Sequence, residues 1–159
     1  LSHEIDYVLW MFGMPSRVTA LGGRSGQLEC EVEDIVEVVM EYEAPRRIVS
    51  VHLDMLQRRP FRCCRAVGTR GSARWDGIAD TVDVDALQAD LPASLPGVAL
   101  ADKNRVYQEE LSDFFASIAS GGAPVCTGEQ GLNTLVVVEA IRQSLASGCA
   151  AIPGSRVGQ

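Results

Sequence analysis

The chain contains only two histidines, and each has an aspartate close by. His3 and Asp6 are three positions apart, so on a helix they share one face, where a carboxylate could orient an imidazole that exchanges protons near neutral pH. A plainer reading fits the same residues, because Glu4 and Asp6 at a helix start complement the positive end of the macrodipole. Spacing alone leaves both open. His52 and Asp54 are two apart, hence on one face of a strand. A polar sheet face carrying such a pair could bind a substrate, although such faces more often meet solvent or a partner subunit.

Other stretches suggest chemistry less strongly. Gly22-Gly23-Arg24-Ser25-Gly26 is glycine-rich, but it fits neither G-x-G-x-x-G nor a P-loop, and the pattern that follows it is a strand rather than a helix. It reads as a loop. No Ser/His/Asp grouping, H-E-x-x-H or metal-ligand cluster occurs. Cys30, Cys63, Cys64, Cys126 and Cys149 are odd in number and lack paired C-x-x-C spacing, so they read as buried small hydrophobes in a reducing cytoplasm.

The elements that would position these residues follow from periodicity. Ser2 can cap a helix over about His3 to Phe12, with Ile5, Val8, Leu9 and Phe12 on one face and Gly13 just past its end. A strand starts at Arg17 and closes at the glycine-rich loop. Glu33 to Glu43 alternates, with Val36, Val38, Met40 and Tyr42 on an apolar face and Ile35, Glu37, Val39 and Glu41 on a mixed one. Ala44-Pro45 then turns the chain into a strand over Arg46 to Gln57, with Val49, Val51, Leu53 and Met55 opposite Ile48, Ser50, His52, Asp54 and Leu56. Short strands follow at Arg62 to Val67, Ser72 to Trp75 and near Thr81 to Val84, and Ala89 to Ala101 reads as a surface loop.

Two helices complete the pattern. Over Lys103 to Ser120, Tyr107, Leu111, Phe114, Phe115 and Ile118 form one helical face, ended by Gly121-Gly122. Thr127 and Gln130 form a capping box for the last helix, whose Leu132, Leu135, Val136, Val138, Ile141 and Leu145 leave a narrow polar strip, so this helix is expected to be largely buried. The order is that of an α+β fold with a mainly antiparallel open sheet and helices packed on one face, in a single domain over residues 1–159. The two long helices are expected to cover the apolar face of the sheet. The mixed face, with Ile35, Val39, Ile48, Ser50, His52 and Leu56, is left open and is expected to pair with a second copy.

Composition narrows the partners. The 159 residues are 47% hydrophobic and 22% charged, ordinary for a globular domain large enough to bury a core. A formal net charge of −7 with no basic stripe argues against nucleic acid. No apolar run reaches the roughly 20 residues of a membrane span. The chain opens on Leu1 without an initiator methionine or a signal-peptide pattern, as expected of an excised piece.

Several of these stretches together resemble a known family. Ser2-His3-Glu4-Ile5-Asp6-Tyr7 with Leu9-Trp10-Met11-Phe12-Gly13 resembles the H-x-x-D helix that opens the second domain of Gfo/Idh/MocA oxidoreductases. Val67-Gly68-Thr69-Arg70-Gly71-Ser72-Ala73 is similar to that family's glycine hairpin. Tyr107, Glu110, Leu111, Phe114 and Ile118 match a Y..EL..F...I helix, and Gly128 through Gly148 its closing helix. The resemblance implies that His3 is the parent enzyme's catalytic histidine, with Asp6 the aspartate of the same motif. It implies a parent that transfers a hydride between NAD or NADP and a sugar, sugar derivative or cyclitol, using an N-terminal Rossmann domain that this sequence lacks. The chain alone is expected to bind no cofactor and to turn nothing over. The alternative is a non-catalytic binding or oligomerisation module of the same fold.

Overall fold

The structure, a computed structural model, describes residues 2–86, 94–96 and 103–155. The chain divides into two compact units, Leu1–Leu56 with Cys126–Gln159, and Gln57–Val125.

The first unit is built on the alternation read from the sequence. In β2 (Ile35–Glu43) Val36, Val38, Met40 and Tyr42 are buried, while the residues between them point to the other side. β3 (Arg46–Asp54) pairs with it antiparallel around Ala44-Pro45, setting Val49, Val51 and Leu53 against Met40, Val38 and Val36. Met55, expected to extend this strand, lies beyond it and is exposed. β1 (Arg17–Gly23) lies on the other side of β2, in the order β1-β2-β3. It runs two residues into the expected glycine loop, because Gly22 and Gly23 pair with Val36 and Ile35. The register explains the glycine at 22: a Cβ there would collide with the Ile35 carbonyl oxygen and come within 2.8 Å of the Val36 Cα.

Within this unit two helices, the first and the last of the chain, cover the apolar face. α1 (Ser2–Phe12) buries Ile5 and Val8, and its end is marked by Gly13, whose N–H donates to the Leu9 carbonyl. Ser2 is itself helical rather than the residue before the helix. The second cover is the helix Gly128–Ser147, which buries Thr134, Val137, Ala140, Ile141 and Ser144. The expected stripe was one of large apolar residues, but Leu132 and Leu135 are 58% and 62% exposed. Small residues take the inner face because they let the helix approach β1, where the Ser144 hydroxyl accepts the buried Ala20 N–H at 2.9 Å. Past the left-handed cap at Gly148 the chain returns to β1, and Val18 and Ala151 exchange both backbone hydrogen bonds.

The second unit has its own antiparallel sheet, so the strands are shared between two sheets. Its order follows the chain: β4 (Cys63–Gly68), β5 (Gly71–Asp76), β6 (Thr81–Ala86) and β7 (Ser94–Pro96). The glycine hairpin forms as expected, with Gly68 opposite Gly71. β7 falls inside the stretch expected to be a loop, and the rest of 89–101 lies outside the described residues. The turn after β5 is fixed by Asp76, whose Oδ1 accepts from the Ile78 and Ala79 N–H groups. α2 (Lys103–Ser120) has the expected bounds. Its apolar face is open, however, with Tyr107, Leu111, Phe114, Phe115 and Ile118 between 52% and 66% exposed. We therefore number the helix Gly128–Ser147 α3.

The cysteines correct the sequence reading. Cys63, Cys126 and Cys149 are exposed and Cys30 and Cys64 half-buried, all as free thiols. Cys126 and Cys149 sit just outside the two ends of α3, where the backbone runs at the surface. No helix among the described residues is long and apolar enough to cross a membrane.

Candidate active site

His3 and Asp6 come to one groove. Burial of Ile5 and Val8 fixes the rotation of α1, which turns positions 3 and 6 away from the core and toward the first turns of α3. The capping box places that end of α3: Thr127 N–H donates to Gln130 Oε1 at 2.7 Å, and Gln130 N–H to Thr127 Oγ1 at 3.3 Å. Between the helices lies an open groove of about 540 Å³, lined by Ser2, His3 and Asp6 and by Gly128, Gly131, Leu132, Thr134 and Leu135. A Cβ at Gly128 or Gly131 would meet nothing within 4 Å, so these glycines leave bare backbone on the groove wall.

The groove joins its residues differently from the sequence expectation. The Asp6 carboxylate accepts the Thr134 hydroxyl at 2.8 Å, a bond between α1 and α3. The His3 side chain lines the groove, is exposed, and makes no hydrogen bond with another described residue. Asp6 is thus held by Thr134 rather than by the imidazole three residues before it. Thr134 escaped the sequence reading. Its one signal was a hydroxyl amid an apolar helical run, and at 5% exposure that hydroxyl needs a partner.

The second pair is elsewhere. His52 projects from the open face of the β1-β2-β3 sheet, with Nδ1 2.5 Å from Glu37 Oε1 and Nε2 2.9 Å from Asp54 Oδ2. These contacts, with Glu37 first, push the imidazole above its ordinary titration range. Asp54 also accepts the Leu56 N–H. The same face carries the exposed apolar side chains of Leu21, Val39 and Ile48 and the Arg17–Glu41 ion pair.

The glycine-rich stretch builds no phosphate cradle. Asp34, 2% exposed, accepts both the Ser25 N–H and its hydroxyl, at 2.8 and 2.7 Å, and these bonds hold its carboxyl below the usual range. The loop is thereby tied back to the start of β2 and leads into a strand, whereas a dinucleotide cradle needs a following helix N-terminus. Among the described residues no grouping of His, Cys, Asp and Glu could hold a metal ion.

The described residues thus form an α+β architecture of three helices and two antiparallel sheets, with a groove between α1 and α3. Residues 1–74 match the sequence model of the GFO/IDH/MocA C-terminal domain. Over those residues the chain carries the sequence pattern of that domain.

Solved structures extend the likeness in fold across the chain. The WlbA dehydrogenase from Bordetella pertussis, in complex with NADH and UDP-GlcNAcA, superposes with a TM-score of 0.73 at 18% identity, over 98% of this chain and 44% of that one. An oxidoreductase from Agrobacterium radiobacter, in complex with NAD+, L-tartaric acid and magnesium, gives 0.76 at 17% identity, over 96% of this chain and 47% of its own. UDP-N-acetylglucosamine 3-dehydrogenase GnnA from Acidithiobacillus ferrooxidans gives 0.70 at 21% identity, over 91% and 44%. The chain spans less than half of each of these proteins. No curated protein matches its sequence.

Proposed function

We propose that residues 1–159 are the C-terminal, substrate-side domain of a cytoplasmic NAD(P)-dependent oxidoreductase acting on a sugar, sugar derivative or cyclitol. The observation that carries this reading is the groove, which gathers His3, Asp6 and Thr134 at the junction of α1 and α3. Support comes from the related folds, two of which are named for NADH with UDP-GlcNAcA and for UDP-N-acetylglucosamine 3-dehydrogenase. The glycine-rich loop of this chain does not fit a dinucleotide, since it leads into a strand. A Rossmann domain outside this sequence would hold the nicotinamide and supply the hydride chemistry.

What the chain itself contributes is proton transfer and orientation. His3, open to the groove, takes a proton from the hydroxyl on the reacting carbon in oxidation and returns it in reduction. Thr134 occupies Asp6 Oδ1, which leaves Oδ2 to accept a hydrogen bond from a substrate hydroxyl. Leu132 and Leu135 offer apolar surface to the carbon face of a ring.

The test uses the two-domain protein that carries this chain. With NAD+ or NADP+ and a panel of sugar nucleotides and cyclitols, His3→Ala is expected to lower turnover by about 10²-fold or more while cofactor affinity holds. Near-wild-type turnover would remove His3 from the chemistry. Calorimetric titration of the chain alone with NADH or NADPH is expected to give no saturable heat.

The open sheet face favours a second role, self-association, whether or not the domain is catalytic. Leu21 and Ile48 are 70% and 63% exposed on it, beside Val39, in a sheet whose other face is fully used by α1 and α3. A second copy, related by two-fold symmetry, would cover these residues.

A further inference from the structure

Glu37 and His52 stand opposite each other in the β2–β3 register, and Asp54 follows on the same face of β3. Each ring nitrogen of His52 lies within hydrogen-bond distance of a different carboxylate, Nδ1 of Glu37 and Nε2 of Asp54. An ionised carboxylate only accepts, so both contacts are hydrogen bonds only if both nitrogens carry hydrogen. A neutral imidazole has one N–H, and in either tautomer it would turn a lone pair toward the other carboxylate. The geometry is that of the imidazolium. Because the two nitrogens lie on opposite sides of the ring, the carboxylates do not converge as metal ligands would.

We propose that Glu37, His52 and Asp54 form a proton-operated clasp on the open sheet face, and that opening it by deprotonation weakens the pairing of two copies across that face. Two carboxylates and one imidazolium sum to −1; with a neutral imidazole the sum is −2. The extra charge accompanies the loss of one hydrogen bond, and both changes oppose burying the patch against its own copy. Among the other charges of β1, β2 and β3 on this face, Glu41 is engaged by Arg17 at 2.7 Å and Glu43 stands opposite Arg46 in the register, both beyond Ser50 from His52 along β3, while the β1 residue across from Glu37 is Leu21. The raised titration of the imidazole, with Glu37 its leading cause and Asp54 next, agrees with the geometry.

The second half of the proposal rests on the self-association read above, and the experiment separates the two. In the intact chain, NMR titration of His52 is expected to show a pKa above the ordinary value of about 6.5, moving down in Glu37→Gln. Sedimentation at fixed ionic strength is expected to show the dimer dissociation constant rising roughly tenfold or more between about pH 6 and about pH 9, with this dependence flattened in Glu37→Gln. A His52 pKa at or below the ordinary value would overturn the clasp. A raised pKa with a dissociation constant that ignores pH would overturn its link to assembly. A monomer at every pH would overturn that link by removing the association on which it rests, while the NMR arm still decides the clasp.

Discussion

Thr134 on α3 donates its hydroxyl to the Asp6 carboxylate on α1 at 2.8 Å, joining positions 128 residues apart. The bond belongs at once to the groove and to the packing of the two helices that cover the sheet. Thr134→Val keeps the shape and removes the donor, so it is expected to lower stability by about 1 to 3 kcal/mol in urea unfolding, as for a hydrogen bond to a charged group. Thr134→Ser should restore most of the loss. Equal stability of the valine and serine variants would show that the bond contributes nothing.

The inward face of α3 gives a sharper test of register. Val137→Ala is expected to cost about 1 to 3 kcal/mol and Ser144→Ala a similar amount, since the latter leaves the buried Ala20 N–H without its acceptor. Leu135→Ala, although it removes more apolar surface, should stay within about 0.5 kcal/mol because that side chain is exposed. A larger loss at Leu135 than at Val137 would mean that the helix is rotated.

Gly22 is expected to tolerate no side chain. Gly22→Ala would push a methyl into the β2 backbone at Ile35 and Val36, so thermal unfolding should show a drop of several degrees, whereas Gly26→Ala, where a Cβ meets nothing, is limited to the backbone strain of φ 74°. Equal effects at the two positions would contradict the pairing of Gly22 with Val36.

Acid should open the 24–33 loop first. The Asp34 carboxyl titrates below its ordinary value because Ser25 donates to it, so its contribution is complete above the unfolded value near 3.8 and is lost as pH falls through the lower folded value. Limited proteolysis of the loop is expected to accelerate in that acid window. Asp34→Ala should show the accelerated cleavage already at neutral pH, and unchanged cleavage in that variant would rule Asp34 out as the anchor.

Val39→Glu tests the open sheet face. Placed amid Leu21, Ile48 and the Glu37–His52–Asp54 cluster, the added carboxylate should shift sedimentation at tens of micromolar toward monomer, and an unperturbed dimer would locate the interface elsewhere.

What the sequence made legible was decided by how one-sided each pattern is. β2 and β3 alternate cleanly, so their faces and hairpin could be read in advance, and the Thr127–Gln130 box marked the start of α3 to the residue. α3 itself is apolar nearly all round, with Leu132, Leu135, Val136, Val137 and Val138 in close succession, so periodicity could not choose its inner face. That choice fell to small and hydroxyl-bearing residues, which carry little weight in a hydrophobic pattern but settle how closely a helix can approach a strand. The groove was legible only in half. His3 and Asp6 lie within one turn of α1, whereas Thr134 reaches them through a tertiary contact that no local spacing records. The division of the strands into two sheets was equally hidden, because strand pairing beyond a hairpin depends on distant chain segments.

The return of the chain to β1 after α3 has a consequence for misassembly. Strand edges recruit other strands, and β1 would offer such a template if its outer backbone groups were free. Val18 spends its N–H and carbonyl on Ala151, and Ala20 gives its N–H to Ser144, so this edge is stoppered by α3 and the segment that follows it. The few residues beyond Gly148 therefore act as a plug on this edge, and losing them would leave the Val18 N–H and carbonyl open to an incoming strand.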